Sequence, residues 1–385
     1  MKIALYYPWV YLKSGVEKTI LETVKRSRHQ YTIFTNHYDS NGTYPEFKKY
    51  KVVELKKIPV NRTILSVIKA TIIISFQKIN LEGFDLLLVH SEGLGDLILT
   101  RNNTIPAVCF CHTPLRAVFD REYKIRALQA RGFVGKRIYA FLSFAFTRVD
   151  SYLWSKYTHV FFNSRETLRR AQEGDLLRSL KGRYEILHPG VNVQKISPIY
   201  KPYFLIPGRI MWTKNIELAI RSFIRFKRTA PKQQNFRLVI SGQVDTKSRF
   251  YVKNLLEITQ KRKDITIITS PSEKKLRKLY SECWAVLLTS FNEDWGLTLL
   301  EGNSFGKPSI TVSAGGPKES QVDGVTGFVT NANTQDLSQK MTLLARNEKL
   351  TRKLGKHAYR NAKQYSWNHF VRRIDQVLTE SRQKP

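Results

Sequence analysis

The sequence predicts an α/β protein of two domains, each built on a parallel sheet with helices on both faces. Short apolar runs rich in Val, Ile, Phe and Tyr, typical of buried strands, alternate with amphipathic stretches along the chain. The alternation pauses at His188-Pro189-Gly190 and then restarts, which indicates a second domain of the same kind. A length of 385 residues fits two domains of ordinary size.

Strands and helices are predicted on both sides of this interruption. The strands are Ile3–Tyr7, Tyr31–Phe34, Val52–Leu55, Asp85–His90, Pro106–His112, His159–Asn163, Tyr203–Ile206, Phe236–Ser241, Ile265–Thr269, Ala285–Leu288 and Ser309–Val312. The helices between them include Val16–Lys25, Thr63–Ile79, Ser143–Lys156, Asn215–Arg228, Glu273–Glu282 and Leu297–Ser304. We therefore expect domains at residues 1–190 and 200–365. A C-terminal helix is expected in residues 366–385. It could belong to either domain, and it could cross back to the N-terminal one.

Charge is the unusual feature of the composition. Lys and Arg number 64 against 31 acidic residues, a net charge of +33, and the excess is spread over both halves of the chain. A positive charge of this size attracts phosphorylated substrates or an anionic membrane surface. Because the charge is dispersed and no recognition element is evident, a nucleic-acid-binding protein is disfavoured. A nicotinamide-dependent oxidoreductase would share the fold, but the full Gly-x-Gly-x-x-Gly after the first strand is absent.

Three cysteines predict a reducing compartment rather than a disulfide framework. Cys109, Cys111 and His112 lack a second pair of metal ligands, so we expect buried strand cysteines and no metal site. The apolar run Ile64–Phe76 contains Lys69 and is too short to span a bilayer, which predicts a core helix. With no signal-peptide pattern, a cytoplasmic protein is expected.

Glu293 and Glu301 lie on either side of a predicted helix start, after the strand Ala285–Leu288. Open α/β sheets bind ligands at the carboxyl ends of their strands. Carboxylates accept hydrogen bonds from sugar and ribose hydroxyls, and free N–H groups at a helix start suit a phosphate. From residue chemistry alone, a capped surface helix explains this pattern equally well.

Arg209 and Lys214 follow the strand Tyr203–Ile206 after a glycine turn, where two cations fit a diphosphate. Arg can bridge two oxygens while Lys supplies a point charge, and both would stabilise charge on a departing diphosphate. Because cations occur throughout this chain, the position rather than the residue type carries the prediction. Gly15, after the first strand, could let a phosphate approach the backbone, although a plain strand–helix turn is about as good an explanation.

His112 ends a predicted strand and is followed by Thr113-Pro114. A histidine at this place could donate a hydrogen bond to a sugar hydroxyl or to a developing charge. A structural histidine in the core is the alternative.

Taken in order, these motifs resemble the retaining GT-B glycosyltransferases of family 4. The resemblance extends from about residue 3 to residue 370. It is carried by Ser14-Gly15-Val16-Glu17, Gly208-Arg209 with Lys214-Asn215, Glu293 and Glu301 as Glu-x7-Glu, Phe305-Gly306-Lys307-Pro308, Gly315-Gly316-Pro317-Lys318-Glu319 and Gly324-Val325-Thr326-Gly327-Phe328.

The resemblance implies a GT-B fold, in which two Rossmann-like domains place their parallel sheets across a cleft and the C-terminal domain binds a nucleotide sugar. It also implies sugar transfer with retention of configuration and without a metal or other cofactor. The site residues implied are Arg209, Lys214 and Gly15 for the donor diphosphate, Glu301 for the ribose, Glu293 and His112 as catalytic residues at the transferred sugar, and the backbone of Trp295, Gly296 and Leu297 beside it.

The stretch Cys111–Arg116 is similar to the His-Thr-Pro-Met-Arg stretch of many mannosyltransferases that build lipid-linked or polysaccharide chains. This implies GDP-mannose as the favoured donor, with a UDP-sugar as the alternative, and a glycan or polyprenyl-phosphate-linked acceptor. Trp295 stands where the family commonly has Phe, and Asn303-Ser304 where it often has Ala-Met or Ala-Leu.

Residues 116–148 contain eight basic and two acidic residues interleaved with aromatic side chains. Such a segment could lie on an anionic bilayer, which predicts peripheral attachment to a membrane. An amphipathic helix with its aromatic residues in the core explains the pattern equally well.

Overall fold

The computed structural model describes residues 1–61, 63–129, 131–194, 198–245, 248–259 and 262–382. Contacts divide the chain into two compact units. The first unit holds residues 1–189 together with the last helix, which begins at Trp367, and the second holds Gly190–Ser366.

The main sheet of the first unit is parallel throughout. The strands of this unit are β1 (Lys2–Tyr6), β2 (Trp9–Val10), β3 (Gln30–Thr35), β4 (His37–Tyr38), β5 (Lys51–Glu54), β6 (Leu86–Ser91), β7 (Ala107–Cys111), β8 (Tyr157–Phe162) and β9 (Tyr184–Ile186). Their order in the sheet is β5-β3-β1-β6-β7-β8-β9, and the short strands β2 and β4 pair with each other. Since the order reverses between β1 and β6, a ligand crevice is expected outside the carboxyl ends of these strands.

The sheet of the second unit is also parallel and repeats this order. Its strands are β10 (Tyr203–Pro207), β11 (Arg237–Gly242), β12 (Ile265–Thr269), β13 (Ala285–Leu288), β14 (Ser309–Val312) and β15 (Gly327–Thr330). The order β12-β11-β10-β13-β14-β15 reverses between β10 and β13. The predicted fold class, two α/β domains with parallel sheets, is therefore confirmed.

Helices connect the strands in both units. They are α1 (Gly15–Arg26), α2 (Ile64–Phe76), α3 (Arg116–Phe119), α4 (Arg121–Gln129), α5 (Phe133–Trp154), α6 (Arg165–Glu173), α7 (Ile216–Thr229), α8 (Arg249–Thr259), α9 (Glu273–Glu282), α10 (Leu297–Ser304), α11 (Pro317–Ser320), α12 (Thr334–Arg346), α13 (Glu348–Ala362) and α14 (Trp367–Arg382). Helix α14 packs on the first unit, where it contacts α1, β7 and β8.

The second sheet buries apolar side chains on both faces, because successive residues of a strand point to opposite sides. In β10, Phe204 and Ile206 join one core cluster, while Leu205 joins a second cluster on the other face. Helix α10 packs into this second cluster through Leu299 and Leu300. Its position against the sheet is therefore fixed by apolar burial, and the loop before it is held at the sheet edge.

Helix α2 corrects one prediction, because it forms as expected but packs into the core through one face only. Its buried residues are Ala70 and Ile74, one face of the helix, whereas Leu65 and Phe76 are 80% and 67% exposed. Apolar residues occur on every face of this helix, so the sequence pattern could not show which face is covered.

Candidate functional site

The carboxyl ends of β10, β13 and β14 lie side by side at one edge of the second sheet. The loops that follow them carry Arg209 and Lys214, then Glu293, then Gly315-Gly316. Hydrogen bonds join the first two loops: Phe291 N donates to Thr213 O at 3.0 Å, and Thr289 Oγ1 donates to Lys214 O at 2.9 Å. Residues from three separate stretches of sequence thus meet at the point where the strand order reverses.

Lys214 and Glu293 form an ion pair at this edge. The distance from Lys214 Nζ to Glu293 Oε2 is 2.5 Å, and their side chains are 17% and 22% exposed. Ser290 Oγ donates to the same carboxylate oxygen at 2.9 Å. Partial burial strengthens the attraction between the two charges, so each side chain holds the other in place.

Gly316 brings the loop after β14 into contact with the loop that carries Glu293. Its N–H donates to Glu293 O at 2.8 Å. A Cβ at Gly316 would lie 1.9 Å from Asp294 O, and a Cβ at Gly315 would lie 2.3 Å from Glu293 O. Side chains at these two positions would force the loops apart, which gives a physical reason for the glycine pair in the motif.

Helix α10 begins directly after Gly296, and no side chain caps its first turn through a hydrogen bond in the residues that the structure describes. The N–H groups at the start of a helix favour an anion or a sugar oxygen. Trp295, just before this turn, is 3% exposed, and its ring packs edge-on against Tyr365 at 5.3 Å between ring centroids. The Trp295 side chain anchors the turn, which leaves its backbone and that of Leu297 at the helix start.

Glu301 lies on α10 and receives a hydrogen bond from Tyr280 on α9. The distance from Tyr280 Oη to Glu301 Oε2 is 2.7 Å. The Tyr280 ring is buried and stacks on Phe305 at 5.8 Å with an interplanar angle of 2°. A rigid donor therefore orients this carboxylate. Sequence reasoning missed Tyr280, because its partner lies 21 residues away and nothing local indicates the contact.

Arg209 stands in the turn after β10, and this turn is attached to the end of the neighbouring strand β11. Gly208 N donates to Ser241 O at 3.1 Å, and Ile210 N donates to Gln243 O at 3.0 Å. Gly208 has a φ of +109°, which residues with a Cβ rarely adopt. Arg209 itself is half-buried at this edge.

His112 lies in the first unit, directly after β7, and its ring is buried against His90 of β6. His112 Nε2 is 3.0 Å from His90 Nδ1, and the two rings stack at 5.2 Å. Burial lowers the pKa of His112 to about 3, and burial together with His112 lowers the pKa of His90 well below its usual range. Both rings are therefore neutral at pH 7. Since a neutral imidazole carries one proton, one of the two facing nitrogens donates and the other accepts, so the tautomers of His90 and His112 are linked.

His90 is a second residue that sequence reasoning missed. It is fully buried near the end of an otherwise apolar strand. A polar residue at the carboxyl end of a predicted buried strand is the signal that could have identified it.

Gly15 is the exposed first residue of α1 in the first unit. Ser14 caps this helix by accepting a hydrogen bond from Val16 N, and the Glu17 carboxylate accepts one from Leu12 N at 3.1 Å. The structure thus places Gly15 and His112 in the first unit and the other site residues in the second. Those are Arg209, Lys214, Glu293, Trp295, Gly296, Leu297 and Glu301.

Cys109 and Cys111 are free thiols buried in β7, as expected for strand cysteines, and Cys283 is a free buried thiol directly after α9. Among the residues that the structure describes, no group of three or more His, Cys, Asp or Glu side chains is placed to hold a metal ion. Within the same residues, no helix combines the length and the apolar character needed to cross a membrane.

Solved structures share the fold of this chain. The chain matches sucrose-phosphate synthase from Thermosynechococcus elongatus with a TM-score of 0.76 and 16% identity, over 99% of this chain and 98% of that one. This likeness establishes the fold. Since sequence matches to glycosyltransferases accompany this fold, the protein is a GT-B glycosyltransferase.

The sequence relatives give the same class. Residues 193–361 match the family described as "Glycosyl transferases group 1". The chain is 25% identical to "Uncharacterized glycosyltransferase MJ1178" of Methanocaldococcus jannaschii, over 98% of this chain and 97% of that protein. It is 28% identical to "Alpha-1,3/1,6-mannosyltransferase ALG2" of Mus musculus, over 59% of this chain and 57% of that protein.

A bacterial relative is also similar over part of its length. The chain is 27% identical to "N,N'-diacetylbacillosaminyl-diphospho-undecaprenol alpha-1,3-N-acetylgalactosaminyltransferase" of Campylobacter jejuni, over 48% of this chain and 50% of that protein. The aligned part thus covers about half of this relative and of the mouse one.

Proposed function

We propose that this glycosyltransferase moves a hexose, with mannose from GDP-mannose favoured, to a glycan or a polyprenyl-phosphate-linked glycan, with retention of configuration and without a metal ion. The observation that carries the proposal is the ion pair of Lys214 with Glu293 at the carboxyl edge of the second sheet, where Arg209 also lies, with Glu301 on the helix α10 that follows. Two cations and two oriented carboxylates there suit the diphosphate, the sugar and the ribose of one donor molecule.

Arg209 and Lys214 are proposed to bind the donor diphosphate. Lys214 forms an ion pair with Glu293, and a diphosphate bound at this edge would share the Lys214 ammonium with that carboxylate. As the bond between the sugar and the diphosphate breaks, negative charge grows on the leaving oxygen. Fixed cations stabilise that charge without the cost of reorganising water.

Glu301 is proposed to accept hydrogen bonds from the ribose hydroxyls. The Tyr280 hydroxyl donates a hydrogen bond to Glu301 Oε2 at 2.7 Å, which fixes the rotation of the carboxylate. A carboxylate held in this way loses less conformational freedom when the ligand binds.

Transfer is proposed to proceed on one face of the sugar. The bond from the anomeric carbon to the diphosphate oxygen breaks while the bond to the acceptor oxygen forms, and the acceptor proton passes to the leaving diphosphate. Glu293 and the backbone of Gly296 and Leu297 would orient the sugar during an oxocarbenium-like transition state. A neutral His112 would contact the sugar from the acceptor-binding unit, as a hydrogen-bonding group and not as a cation.

The donor and acceptor classes are supported by two lines of argument. The stretch His112–Arg116 is similar to that of mannosyltransferases, and the mouse relative is named as a mannosyltransferase. The Campylobacter relative is named for a diphospho-undecaprenol acceptor, which favours a lipid-linked glycan, and for transfer of N-acetylgalactosamine, which keeps a UDP-sugar as the second donor candidate. An acceptor of this kind would place the enzyme in the cytoplasm, peripherally at the membrane.

Slow hydrolysis of the donor tests the proposal without an acceptor. The protein is incubated separately with GDP-mannose, UDP-glucose and UDP-N-acetylgalactosamine, and release of the nucleoside diphosphate is measured. We expect release from GDP-mannose and its loss in Glu293→Gln, while Glu348→Gln, an exposed carboxylate change on α13, behaves as the wild type. Release from a UDP-sugar alone would overturn the choice of donor. No release from any donor, with folded protein and with added lipid-linked acceptor, would overturn the activity.

A further inference from the structure

Helix α5 of the first unit presents an apolar stripe to solvent. Its exposed apolar side chains recur at intervals of three and four residues, which is the period of one helix face. Six of them are Val134 at 69%, Ile138 at 52%, Phe141 at 70%, Leu142 at 39%, Val149 at 47% and Tyr152 at 62% exposed, and Phe133 and Phe144 are exposed beside them. The opposite face carries the buried Leu153 and Trp154, with Asp150 beside them, and packs on the core of the unit. The pattern of α5 is therefore that of a helix with two apolar faces, one of them uncovered.

Helix α2 presents a second stripe of the same kind. Ile64, Ile68, Ile72 and Phe76 are four residues apart and exposed, with Leu65 beside them. Both α2 and α5 pack against the segment Leu94–Thr100, and both contribute side chains to a single core cluster on one face of the first sheet. The two uncovered stripes thus belong to neighbouring helices on the same side of this unit.

Cations border both stripes. On α5, the Arg137 guanidinium lies over Phe133 at 4.9 Å, and the Arg148 guanidinium lies over Phe144 at 5.2 Å. Beside α2, the Arg101 guanidinium lies over Phe76 at 5.4 Å. An apolar stripe bordered by Lys and Arg matches a bilayer of anionic lipid, because apolar groups enter the interface while cationic heads remain among the phosphates.

We infer that the exposed apolar residues of α2 and α5, with the cations beside them, form a docking face for an anionic membrane. Charge decides between this occupant and a second copy of the chain. A twofold contact through this face would bring the same cations together, which disfavours association. An anionic bilayer complements them.

The direction of α5 connects the docking face to the acceptor. The helix ends at Trp154, just before β8 begins at Tyr157, so its first half points toward the carboxyl edge of the first sheet. His112 lies at that edge. The inference rests on the proposed function, since it names the surface from which a membrane-bound acceptor would reach this unit.

Vesicle flotation tests the docking face directly. The full chain is mixed with phosphatidylglycerol–phosphatidylcholine vesicles or with phosphatidylcholine vesicles, at low and at high salt. We expect binding to the anionic vesicles that weakens with salt, and a loss of about tenfold in Ile138→Ser/Phe141→Ser and in Ile68→Ser/Ile72→Ser. Phe250→Ser/Leu256→Ser changes exposed apolar residues of α8 in the second unit and should bind as the wild type.

Several outcomes would overturn the inference. They are equal binding to neutral vesicles, wild-type binding by both stripe variants, and absence of binding. A wild-type dimer that the stripe variants abolish would instead identify the face as a contact between copies. Donor hydrolysis measured on the same preparations separates the two proposals, because stripe-dependent vesicle binding without hydrolysis would leave the docking face standing and the proposed function refuted.

Discussion

Replacing Gly316 with alanine tests whether contact between two loops builds the donor site. The residue has φ −70° and ψ −25°, so the backbone itself tolerates alanine. The new Cβ would lie 1.9 Å from Asp294 O, and one of the loops has to move. Overpacking costs about 1–2 kcal/mol, and loss of the 2.8 Å hydrogen bond from Gly316 N to Glu293 O costs about 1 kcal/mol.

We therefore expect the Gly316→Ala variant to lose about 2–3 kcal/mol in free energy of unfolding. Because Glu293 and Asp294 would shift with the loop, the affinity for a nucleotide sugar should fall about tenfold or more. Urea unfolding and calorimetric titration measure the two effects. Gly324→Ala is the control, since Gly324 has φ +69° but open space around its Cβ, so it costs stability without changing affinity. Wild-type affinity in Gly316→Ala would refute the reasoning.

Three further predictions concern buried polar groups. Asp150→Asn should raise the free energy of unfolding at pH 8 and leave it unchanged at pH 4, because burial and the nearby Asp96 raise the pKa of this carboxyl and charging it costs stability as pH rises. Asp96→Asn should lower the free energy of unfolding at pH 4, because two buried hydroxyls donate to Asp96 and an amide leaves one of them without its acceptor. Urea unfolding at each pH is the measurement, and a gain from Asp96→Asn at pH 4 would contradict the assignment. Because the pKa of His112 is about 3, the unfolded chain binds a proton between pH 6.5 and 3 that the folded chain lacks, and the free energy of unfolding falls as pH falls through this range. His112→Gln should reduce the dependence of the free energy of unfolding on pH by up to ~1.4 kcal/mol per pH unit. An unchanged pH dependence would contradict the low pKa of His112. Tyr280→Phe should weaken nucleotide-sugar binding about tenfold, since a hydrogen bond to a carboxylate contributes ~1.5 kcal/mol. Calorimetric titration with the nucleotide sugar measures this affinity, and equal affinities in the variant and the wild type would show that the Tyr280 hydroxyl does not orient Glu301 for binding.

The strands were predictable because a parallel sheet buried on both faces requires continuous apolar runs. The run Phe204–Ile206 and the run Val286–Leu288 are fully buried or nearly so, and sequence alone identifies them. Strands β9 and β15 escaped prediction, since Tyr184–Ile186 has three residues and Gly327–Thr330 begins with glycine and ends with threonine. Short strands with mixed residues do not differ from loops in local pattern.

Contacts between residues that are far apart in the chain could not be predicted from the sequence. The bond from Tyr280 to Glu301 and the pairing of His90 with His112 depend on how helices and strands pack. Lys307 is a residue of the sequence motif whose burial the sequence does not show. This motif residue is fully buried, and its Nζ donates to Ile199 O at 2.5 Å, so in the described structure it supports packing.

The central claim is that the carboxyl edge of the second sheet holds the donor diphosphate. The most direct test is the calorimetric affinity of GDP and UDP for the wild type, Arg209→Ala and Arg237→Ala. Arg237 begins β11 at the opposite edge of the same sheet and controls for loss of one positive charge. We expect Arg209→Ala to weaken nucleoside diphosphate binding about tenfold or more and Arg237→Ala to leave it unchanged. Equal affinities in all three proteins would show that the diphosphate does not bind at this edge.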